Sequence, residues 1–317
     1  MKNNLKTSNL KKAFTLVELL VAMTITLIIV SLTIIITGQA VDSWQTARVE
    51  IRAASQAKVM LNSLARDLES LVVRSGNNAN QWLAATSEET NVGPDGQPSP
   101  NASRVTFYTA ASDRYNGNAG SQQKLNPDAG NADADQGGDV SVVSYLLDFA
   151  DPVFGDQSGN FSTFVLYRKL MDPDETYASF STSSDLEAAF DTVSGGANEL
   201  EDLMCENVYE FTMTFVVDHK DVDGNDTITY LPILQNGGGN TSGNSFAING
   251  TGLSLNGNTR SVFASGRVAA IELSITVLSD AGVDILGRRQ FANETQRAKF
   301  IEENGTRFSK SVLIPGG

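Results

Sequence analysis

The sequence is poor in the residues that most enzyme sites and disulfide-stabilised folds use. Among its 317 residues there is one cysteine, Cys205, and one histidine, His219. A single cysteine excludes an intramolecular disulfide, so burial and hydrogen bonding must hold the fold together. A single histidine excludes a Cys/His zinc set and the H-E-x-x-H motif, and it allows a Ser-His-Asp triad only if His219 is the base. We expect His219, beside a predicted turn, to be exposed and Cys205 to be a small buried residue.

Positive charge is also scarce. The chain has 23 Lys and Arg against 37 Asp and Glu, and its formal net charge is -14. Four lysines precede the first apolar segment, so the side-chain charge of residues 14–317 is -18. Such a surface repels nucleic acid. The basic N-terminus predicts that this end stays in the cytoplasm while the acidic remainder is exported across a membrane.

A long apolar run follows these lysines. No residue from Leu19 to Val41 is charged, and as a helix this run would be about 35 Å long, which is enough to cross a bilayer. Glu18 comes immediately before it and is the fifth residue of the apolar segment that begins at Phe14. A carboxylate costs on the order of 3 kcal/mol in lipid, so a plain membrane anchor has no reason to carry one here.

The junction before this helix has the order lysines, Ala13, then F-T-L-V-E from Phe14 to Glu18. A secretory signal places its small-residue cleavage site after the apolar region, not before it. The arrangement resembles the class III leader of type IV pilins and type II secretion pseudopilins. The family usually has glycine where this chain has Ala13. The alternative interpretation is a signal anchor that happens to contain a glutamate.

The leader resemblance implies specific roles for three residues. Prepilin peptidase would cut between Ala13 and Phe14, methylate the new Phe14 amine and leave the apolar helix on the mature protein. Glu18 would pair with the N-terminal amine of a neighbouring subunit during filament assembly. This role agrees with physical chemistry, because a carboxylate in lipid is tolerated when a cation meets it.

The helical pattern continues beyond the apolar run. Charged residues, Asp67 among them, mostly lie between apolar residues that recur at spacings of three, four and seven: Ile51, Ala54, Leu61, Leu64, Leu68 and Leu71. We predict one helix from Phe14 to about Val73 that ends at Ser75-Gly76. Its transmembrane half is residues 14–41, and its amphipathic half, residues 42–75, is expected to pack under a head formed by residues 76–317.

The head alternates polar segments with strand-like runs. Residues 76–103 are rich in Asn, Ser, Gly and Pro, with a loop interpreted at 91–100, and residues 113–139 and 235–258 are interpreted as long polar insertions. Alternating β-branched and aromatic residues predict strands at Arg104–Thr109, Val140–Leu147, Ser162–Arg168, Val208–Val217, Thr227–Leu231, Arg267–Leu278 and Thr306–Ile314. Short helical segments are predicted at Asp185–Phe190, Glu199–Met204 and Glu294–Glu303.

The order of these runs resembles one pilin subclass. R-V-T-F-Y-T, V-S-Y-L-L, F-V-L-Y-R-K, L-M-C-E-N-V-Y-E-F-T-M-T-F and R-V-A-A-I-E-L-S-I-T-V are similar to the J-type minor pseudopilin of type II secretion and its minor-pilin counterpart. The resemblance implies a pilin-like α+β fold in which an antiparallel sheet, often split in two, packs on the N-terminal helix. The two long insertions are extra to the family pattern.

One acidic cluster is a candidate metal site, formed by Asp221, Asp223, Asn225 and Asp226. Oxygen ligands suit calcium, but the cluster lacks the spacing and the distal glutamate of an EF-hand. An Asp/Gly/Asn hairpin turn explains the same residues. Calcium is therefore the one cofactor that the sequence leaves open.

These features predict a non-enzymatic subunit, a single-pass minor pilin or pseudopilin of the bacterial inner membrane at or near a filament tip. Its expected partners are the membrane, prepilin peptidase, the inner-membrane assembly platform and other pilin or pseudopilin subunits. Two alternatives come from other classes. The first is an adhesin that binds ligand through loops 113–139 and 235–258. The second is a membrane-tethered hydrolase, which could draw on His219 and scattered acids.

Overall fold

The computed structural model describes residues 15–73, 80–110, 140–153, 162–171, 173, 176–180, 183–194, 200–221, 223–235, 244–259 and 266–314. The chain forms two compact units, Met1–Ile51 and Arg52–Gly317. Helix α1 spans Leu16–Glu69 and contributes residues to both units. The fold class is α+β, with a long N-terminal helix followed by a β-rich head.

The second unit is built on one sheet. Its strands are β1 (Gln81–Glu88), β2 (Ala102–Thr109), β3 (Ser141–Ala150), β4 (Thr163–Leu170), β5 (Leu203–Glu206), β6 (Val208–Lys220), β7 (Asp226–Ile233), β8 (Ser245–Asn249), β9 (Gly252–Leu255), β10 (Asn258–Thr259), β11 (Arg267–Leu278) and β12 (Gly305–Leu313). Its helices are α2 (Leu186–Ser194), α3 (Asp280–Arg288) and α4 (Glu294–Asn304), with short π and 3-10 turns at Thr176–Phe180 and Leu200–Asp202.

The sheet has two arms. The first arm has the strand order β10-β9-β8-β1-β2-β3-β4-β5, and the second has the order β12-β11-β6-β7. Neighbouring strands within each arm are antiparallel, whereas the arms meet where Ala102 pairs with Phe211 in parallel. The resemblance implied an antiparallel sheet, often split in two; here both antiparallel arms belong to one sheet, joined by this parallel pair.

The sheet packs on the C-terminal part of α1. Residues 57–68 of the helix place Ala57, Met60, Leu61, Leu64, Ala65 and Leu68 in the main hydrophobic core, beside side chains of both arms. A fully buried leucine contributes about 1.5–3 kcal/mol of burial free energy, so this stripe holds the helix on the sheet. Two predictions for the helix are wrong. Ile51 was assigned to the buried apolar stripe but is 70% exposed, and Asp67 was assigned to the other faces but is completely buried.

The helix also ends earlier than predicted, at Glu69 instead of Ser75-Gly76. The residues after Glu69 hydrogen-bond to the end of β2 instead of continuing the helix. The backbone N–H of Val72 donates to Tyr108 O at 2.9 Å, and the N–H of Ala110 donates to Ser70 O at 2.8 Å. The predicted end at Ser75-Gly76 lies outside the described residues.

Two interpretations of the head need correction, and one strand was not predicted. That strand is β1, which lies within residues 76–103 and completely buries Leu83 and Ala85, whereas residues 91–100 form a loop as predicted. Residues 235–258 are not one polar loop, since β8 and β9 bury apolar side chains within it. The predicted helical segment Glu199–Met204 is a 3-10 turn over Leu200–Asp202 that leads directly into β5. The insertion 113–139 lies outside the described residues.

The remaining predicted elements are confirmed. The structure contains each of the seven predicted strands, with ends that differ by a few residues at most, and β11 has the predicted bounds. The helices at Asp185–Phe190 and Glu294–Glu303 correspond to α2 and α4. The confirmed strands and helices are the elements whose apolar periodicity is strongest. Helix α3 was not predicted from the sequence.

Candidate membrane anchor and assembly segment

The helix of the first unit begins with a capping box formed by Thr15 and Glu18. Glu18 Oε2 accepts hydrogen bonds from the backbone N–H of Thr15 at 2.9 Å and from its hydroxyl at 3.0 Å. Thr15 Oγ1 in turn accepts the backbone N–H of Glu18 at 3.3 Å. Helices leave their first N–H groups without internal partners, and this T-x-x-E arrangement satisfies two of them.

The capping box fixes where the Glu18 carboxylate lies. It is at the N-terminal end of the helix, where the helix dipole favours negative charge. Ala13 and Phe14, the predicted cleavage and methylation site, lie outside the described residues. Cleavage before Phe14 would create an amine on Phe14. The Glu18 carboxylate bonds to the amide of Thr15, which is the next residue in the chain.

The helix that follows is apolar on every face. Within the described residues, it is the one helix long and apolar enough to cross a membrane, and its most apolar window has no buried residue. Leucine, isoleucine and valine side chains between Leu16 and Val41 are 45 to 77% exposed. Burying one such side chain gains about 1.5–3 kcal/mol, so this surface favours lipid or another apolar helix over water.

Hydroxyl groups within the apolar segment bond to the helix itself. Thr24 Oγ1 donates to Val21 O at 2.8 Å, and Thr26 Oγ1 donates to Ala22 O at 2.8 Å. Thr33 Oγ1 makes the same kind of bond to Ile29 O. Polar groups in a bilayer must find partners within the protein, and these threonines do so without another chain. They are therefore compatible with a transmembrane segment.

The apolar segment has a polar and aromatic border. Asp42 follows Val41, and Trp44 is 62% exposed with the Arg48 guanidinium 5.6 Å from its ring centre. Tryptophan and arginine at the end of an apolar helix are typical of the membrane–water interface. The border is compatible with a membrane span that ends near Val41, and this end stays a prediction.

The acidic cluster of the head forms a turn between β6 and β7. Asp221 Oδ1 accepts the backbone N–H groups of Asn225 and Asp223, both at 2.9 Å, and Gly224 has a φ of 83°. These bonds, that from Asn225 first, lower the pKa of Asp221 below its ordinary value. Asp226 instead forms an ion pair with Lys220, with 3.5 Å between Asp226 Oδ1 and Lys220 Nζ.

This geometry bears on the metal hypothesis. The Asp221 carboxylate is oriented by the turn, and the described residues contain no group of three or more His, Cys, Asp or Glu side chains placed to hold a metal ion. The hairpin turn explains the cluster without a metal. Calcium binding by Asp221, Asp223, Asn225 and Asp226 stays a prediction.

The two scarce residues have structural positions in the head. His219 was predicted to be exposed, but it is 6% exposed, and its Nε2 lies 2.8 Å from Thr229 Oγ1 on the neighbouring strand. Its Nδ1 lies 3.1 Å from Lys220 O. Cys205 is buried as predicted, and burial raises the pKa of its thiol to about 12. A thiol with this pKa stays protonated and is a poor nucleophile at neutral pH.

The sequence interpretation missed two features of this segment. The capping box was readable as T-x-x-E from Thr15 to Glu18, a known signal for the start of a helix. The contact between Trp44 and Arg48 was readable as an i, i+4 pair on a helix.

Comparison with known protein families identifies the N-terminal segment. Residues 8–34 match the prokaryotic N-terminal methylation motif. No curated protein matches the chain, and no solved structure matches it. The motif is the class III prepilin leader, which marks subunits of type IV pilin-like and pseudopilin-like assemblies. It implies processing by prepilin peptidase and assembly with other pilins, and an N-terminal helix that anchors the protein in a membrane.

Proposed function

We propose that this protein is a non-enzymatic minor pilin or pseudopilin subunit, located at or near the tip of a type IV pilus or a type II secretion pseudopilus. Prepilin peptidase cuts it between Ala13 and Phe14 and methylates Phe14. Its N-terminal helix anchors it in the bacterial inner membrane, with the head outside the cytoplasm, until the assembly platform adds it to the filament.

The observation that carries this proposal is the methylation motif over residues 8–34, which covers the predicted cleavage site and Glu18. The helix supports it, because its apolar surface is exposed on every side and the hydroxyl groups of Thr24, Thr26 and Thr33 bond to its own backbone. Such a helix is equally suited to lipid before assembly and to neighbouring helices afterwards.

The position of Glu18 supports the proposed role in assembly. Its carboxylate bonds to the amide of Thr15 and is exposed. In a lipid or filament interior an anion at this position requires a cationic partner. The N-terminal amine of a neighbouring processed subunit would supply that cation.

The head supports a structural role. His219 is buried against Thr229, and burial raises the pKa of the Cys205 thiol to about 12. Neither residue is therefore placed as an exposed base or nucleophile. The charge of the head also disfavours nucleic acid as a partner.

Site-specific photo-crosslinking in the native host tests assembly. A photoreactive amino acid at Ile28, which is 60% exposed in the helix, should form adducts with other subunits that carry the same leader. Glu18→Leu should reduce these adducts, because the carboxylate that pairs with a neighbouring amine is lost, while Glu18→Asp should retain part of them. Adducts unchanged by Glu18→Leu, or formed with lipid alone, would contradict the proposal.

A further inference from the structure

Helix α2 covers a small hydrophobic cluster on the first arm of the sheet. The helix has nine residues, and its buried side chains are Leu186 and Phe190. The other buried members of the cluster, which is separate from the main core, are Ala84, Tyr108, Val142, Met171 and Phe180. Helices shorter than about 12–15 residues are marginal in water, so α2 keeps its structure only while it is docked on the sheet.

Polar contacts hold both ends of α2 on the sheet. At the start of the helix, the backbone N–H of Leu186 donates to Gln81 Oε1 on β1 at 2.9 Å. Near its end, the two terminal nitrogens of Arg104 on β2 donate to the two carboxylate oxygens of Asp191 at 2.9 and 2.7 Å. The docking of α2 therefore depends on charged and polar groups as well as on two apolar side chains.

The Glu187 carboxyl lies between these two contacts and is half-buried. Thr86 Oγ1 on β1 is 2.9 Å from Glu187 Oε2 and 3.2 Å from Oε1. Among the residues that the structure describes, no other group hydrogen-bonds to this carboxyl. A hydroxyl has one proton to donate, whereas a carboxylate accepts several hydrogen bonds and a protonated carboxyl is itself a donor. The docked position therefore suits the protonated form of Glu187 better than the anion.

The charges around Glu187 also disfavour its anion. In the described part of the chain, the charged groups that act on it are Arg104 on β2, Glu88 on β1 and Asp185 before α2. The terminal nitrogens of Arg104 are bonded to Asp191, and its buried Nε makes no hydrogen bond to Glu187. Lys169 lines the small cleft beside Arg104 and Asp191. Burial raises the pKa of Glu187 to about 7, although Arg104 opposes the shift.

We propose that α2 is a pH-sensitive flap, which opens from the sheet as the pH rises because ionised Glu187 does not fit its docked position. Opening uncovers Ala84, Tyr108 and Val142, which form an apolar surface beneath the docked helix. The rest of the head keeps its fold, because α2 contributes no side chain to the main core. The proposal does not depend on the proposed function, but a head outside the cytoplasm would meet changes of pH there.

The direction and size of the effect follow from the two states of Glu187. In the open state its pKa returns to the ordinary 4.5, whereas in the docked state it is about 7. The contribution of Glu187 to docking is therefore complete below pH 4.5 and is lost as the pH rises through about 7. Between pH 5 and pH 8 the equilibrium constant for opening should increase by up to about 70-fold.

Hydrogen exchange of the full-length chain in detergent micelles tests the proposal. Exchange is measured by mass spectrometry from pH 5 to pH 8, and each rate is corrected for the intrinsic pH dependence of amide exchange. We expect the amides of α2 to exchange faster than those of β6 and β11, which open only when the whole head unfolds. The corrected rate in α2 should rise at least about tenfold across this range. The corrected rate in α4, an exposed helix away from Glu187, should stay constant.

Three variants separate the titration of Glu187 from its structural contacts. Glu187→Gln imitates the protonated carboxyl and should make the corrected rate in α2 independent of pH. Glu88→Gln removes an exposed neighbouring acid and should keep most of the pH dependence. Asp191→Asn should speed exchange at pH 5, because its ion pair with Arg104 is lost, but it should reduce the pH dependence, because Arg104 then stabilises the Glu187 anion.

Each outcome has a definite meaning. A pH-dependent rate in α2 that Glu187→Gln abolishes and Glu88→Gln retains supports the proposal. Exchange in α2 as slow as in β6 and β11 would show that the helix opens only with the whole head. That result, a corrected rate in α2 that does not change with pH, or an equal pH dependence in Glu187→Gln and wild type would overturn the proposal.

Discussion

The guanidinium Nε of Arg168 on β4 lies 2.9 Å from Oδ2 of Asp67 on α1, in the interior of the head. The Tyr145 hydroxyl on β3 donates to the same oxygen at 2.7 Å, and Thr109 Oγ1 on β2 donates to the backbone carbonyl of Asp67 at 2.9 Å. Three neighbouring strands thus bond to one residue of the helix. Burial and, to a smaller extent, the nearby charge of Asp67 raise the pKa of Tyr145, so its hydroxyl remains a donor.

We expect Asp67→Asn to lower the free energy of unfolding of the head by about 3–5 kcal/mol, because it breaks the buried ion pair between Asp67 and Arg168. Urea unfolding followed by circular dichroism in detergent micelles measures this. Asp284→Asn breaks the exposed i, i+4 pair with Arg288 and should cost only about 0.3–0.5 kcal/mol. Equal effects of the two substitutions would show that Asp67 does not hold the helix on the sheet.

The hydrophobic stripe of α1 gives a second prediction. Leu64 is completely buried in the main core, whereas Val59 on the same helix is 60% exposed. Leu64→Ala should destabilise the head by about 2–5 kcal/mol, through lost burial and the cavity that remains. Val59→Ala should change its stability by about 0.5 kcal/mol or less. The same unfolding measurement compares them, and a large effect at Val59 would mean that the wrong helix face is assigned to the core.

The stability of the head should depend on pH through the carboxyl group of Glu187. Burial raises the pKa of this carboxyl to about 7, although the charge of Arg104 and the hydrogen bond from Thr86 oppose the shift. Glu88 and Asp185 add to it. The folded state therefore favours the protonated form more than the unfolded state does. Its contribution to stability is complete below pH 4.5 and is lost as the pH rises through about 7.

We expect Glu187→Gln, which imitates the protonated carboxyl, to remove this dependence. Relative to the wild-type chain, the variant should gain stability between pH 5 and pH 8, by on the order of 3 kcal/mol at most. Urea unfolding at several pH values measures the gain. Glu201→Gln, at an exposed position, should follow the wild-type curve. A constant difference between Glu187→Gln and wild type across this range would refute the assignment.

The Arg297 contacts predict a local effect. Arg297→Lys keeps the charge but cannot reproduce the two-nitrogen contact with Asp95 together with the bonds to Pro98 and Gln97. Hydrogen exchange should accelerate at the amides of Gly93 and Gln97, which take part in the turn of the loop formed by residues 89–100. Exchange in β11 should stay unchanged. Unchanged exchange at Gly93 and Gln97 would show that Arg297 does not fix the loop.

The sequence predicted those elements whose apolar periodicity is strong. The alternation from Arg267 to Leu278 gave the bounds of β11, and the long apolar run gave most of α1. The strand β1 was missed because Q-W-L-A-A-T has two alanines, which have low strand propensity. The strands β8 and β9 were missed because they are short and lie among Gly, Asn and Ser residues.

Burial of polar residues could not be predicted from periodicity. Asp67 was assigned to a solvent-facing side because its cationic partner, Arg168, is 101 residues away in the chain. The exposed assignment of His219 failed in the same way, since Thr229 reaches it from the next strand. The ion pair between Arg297 and Asp95 likewise joins residues 89–100 to α4 at the other end of the chain. Such sites depend on tertiary pairing, which a local pattern does not contain.

The most direct test of the central claim is the N-terminal mass spectrum of the protein recovered from membranes of its native host. We predict a mature chain of residues 14–317 that begins with N-methylated Phe14, and an uncut chain in a strain without prepilin peptidase. A wild-type protein that retains Met1, or one cut after Val41 with the loss of the apolar helix, would contradict the account.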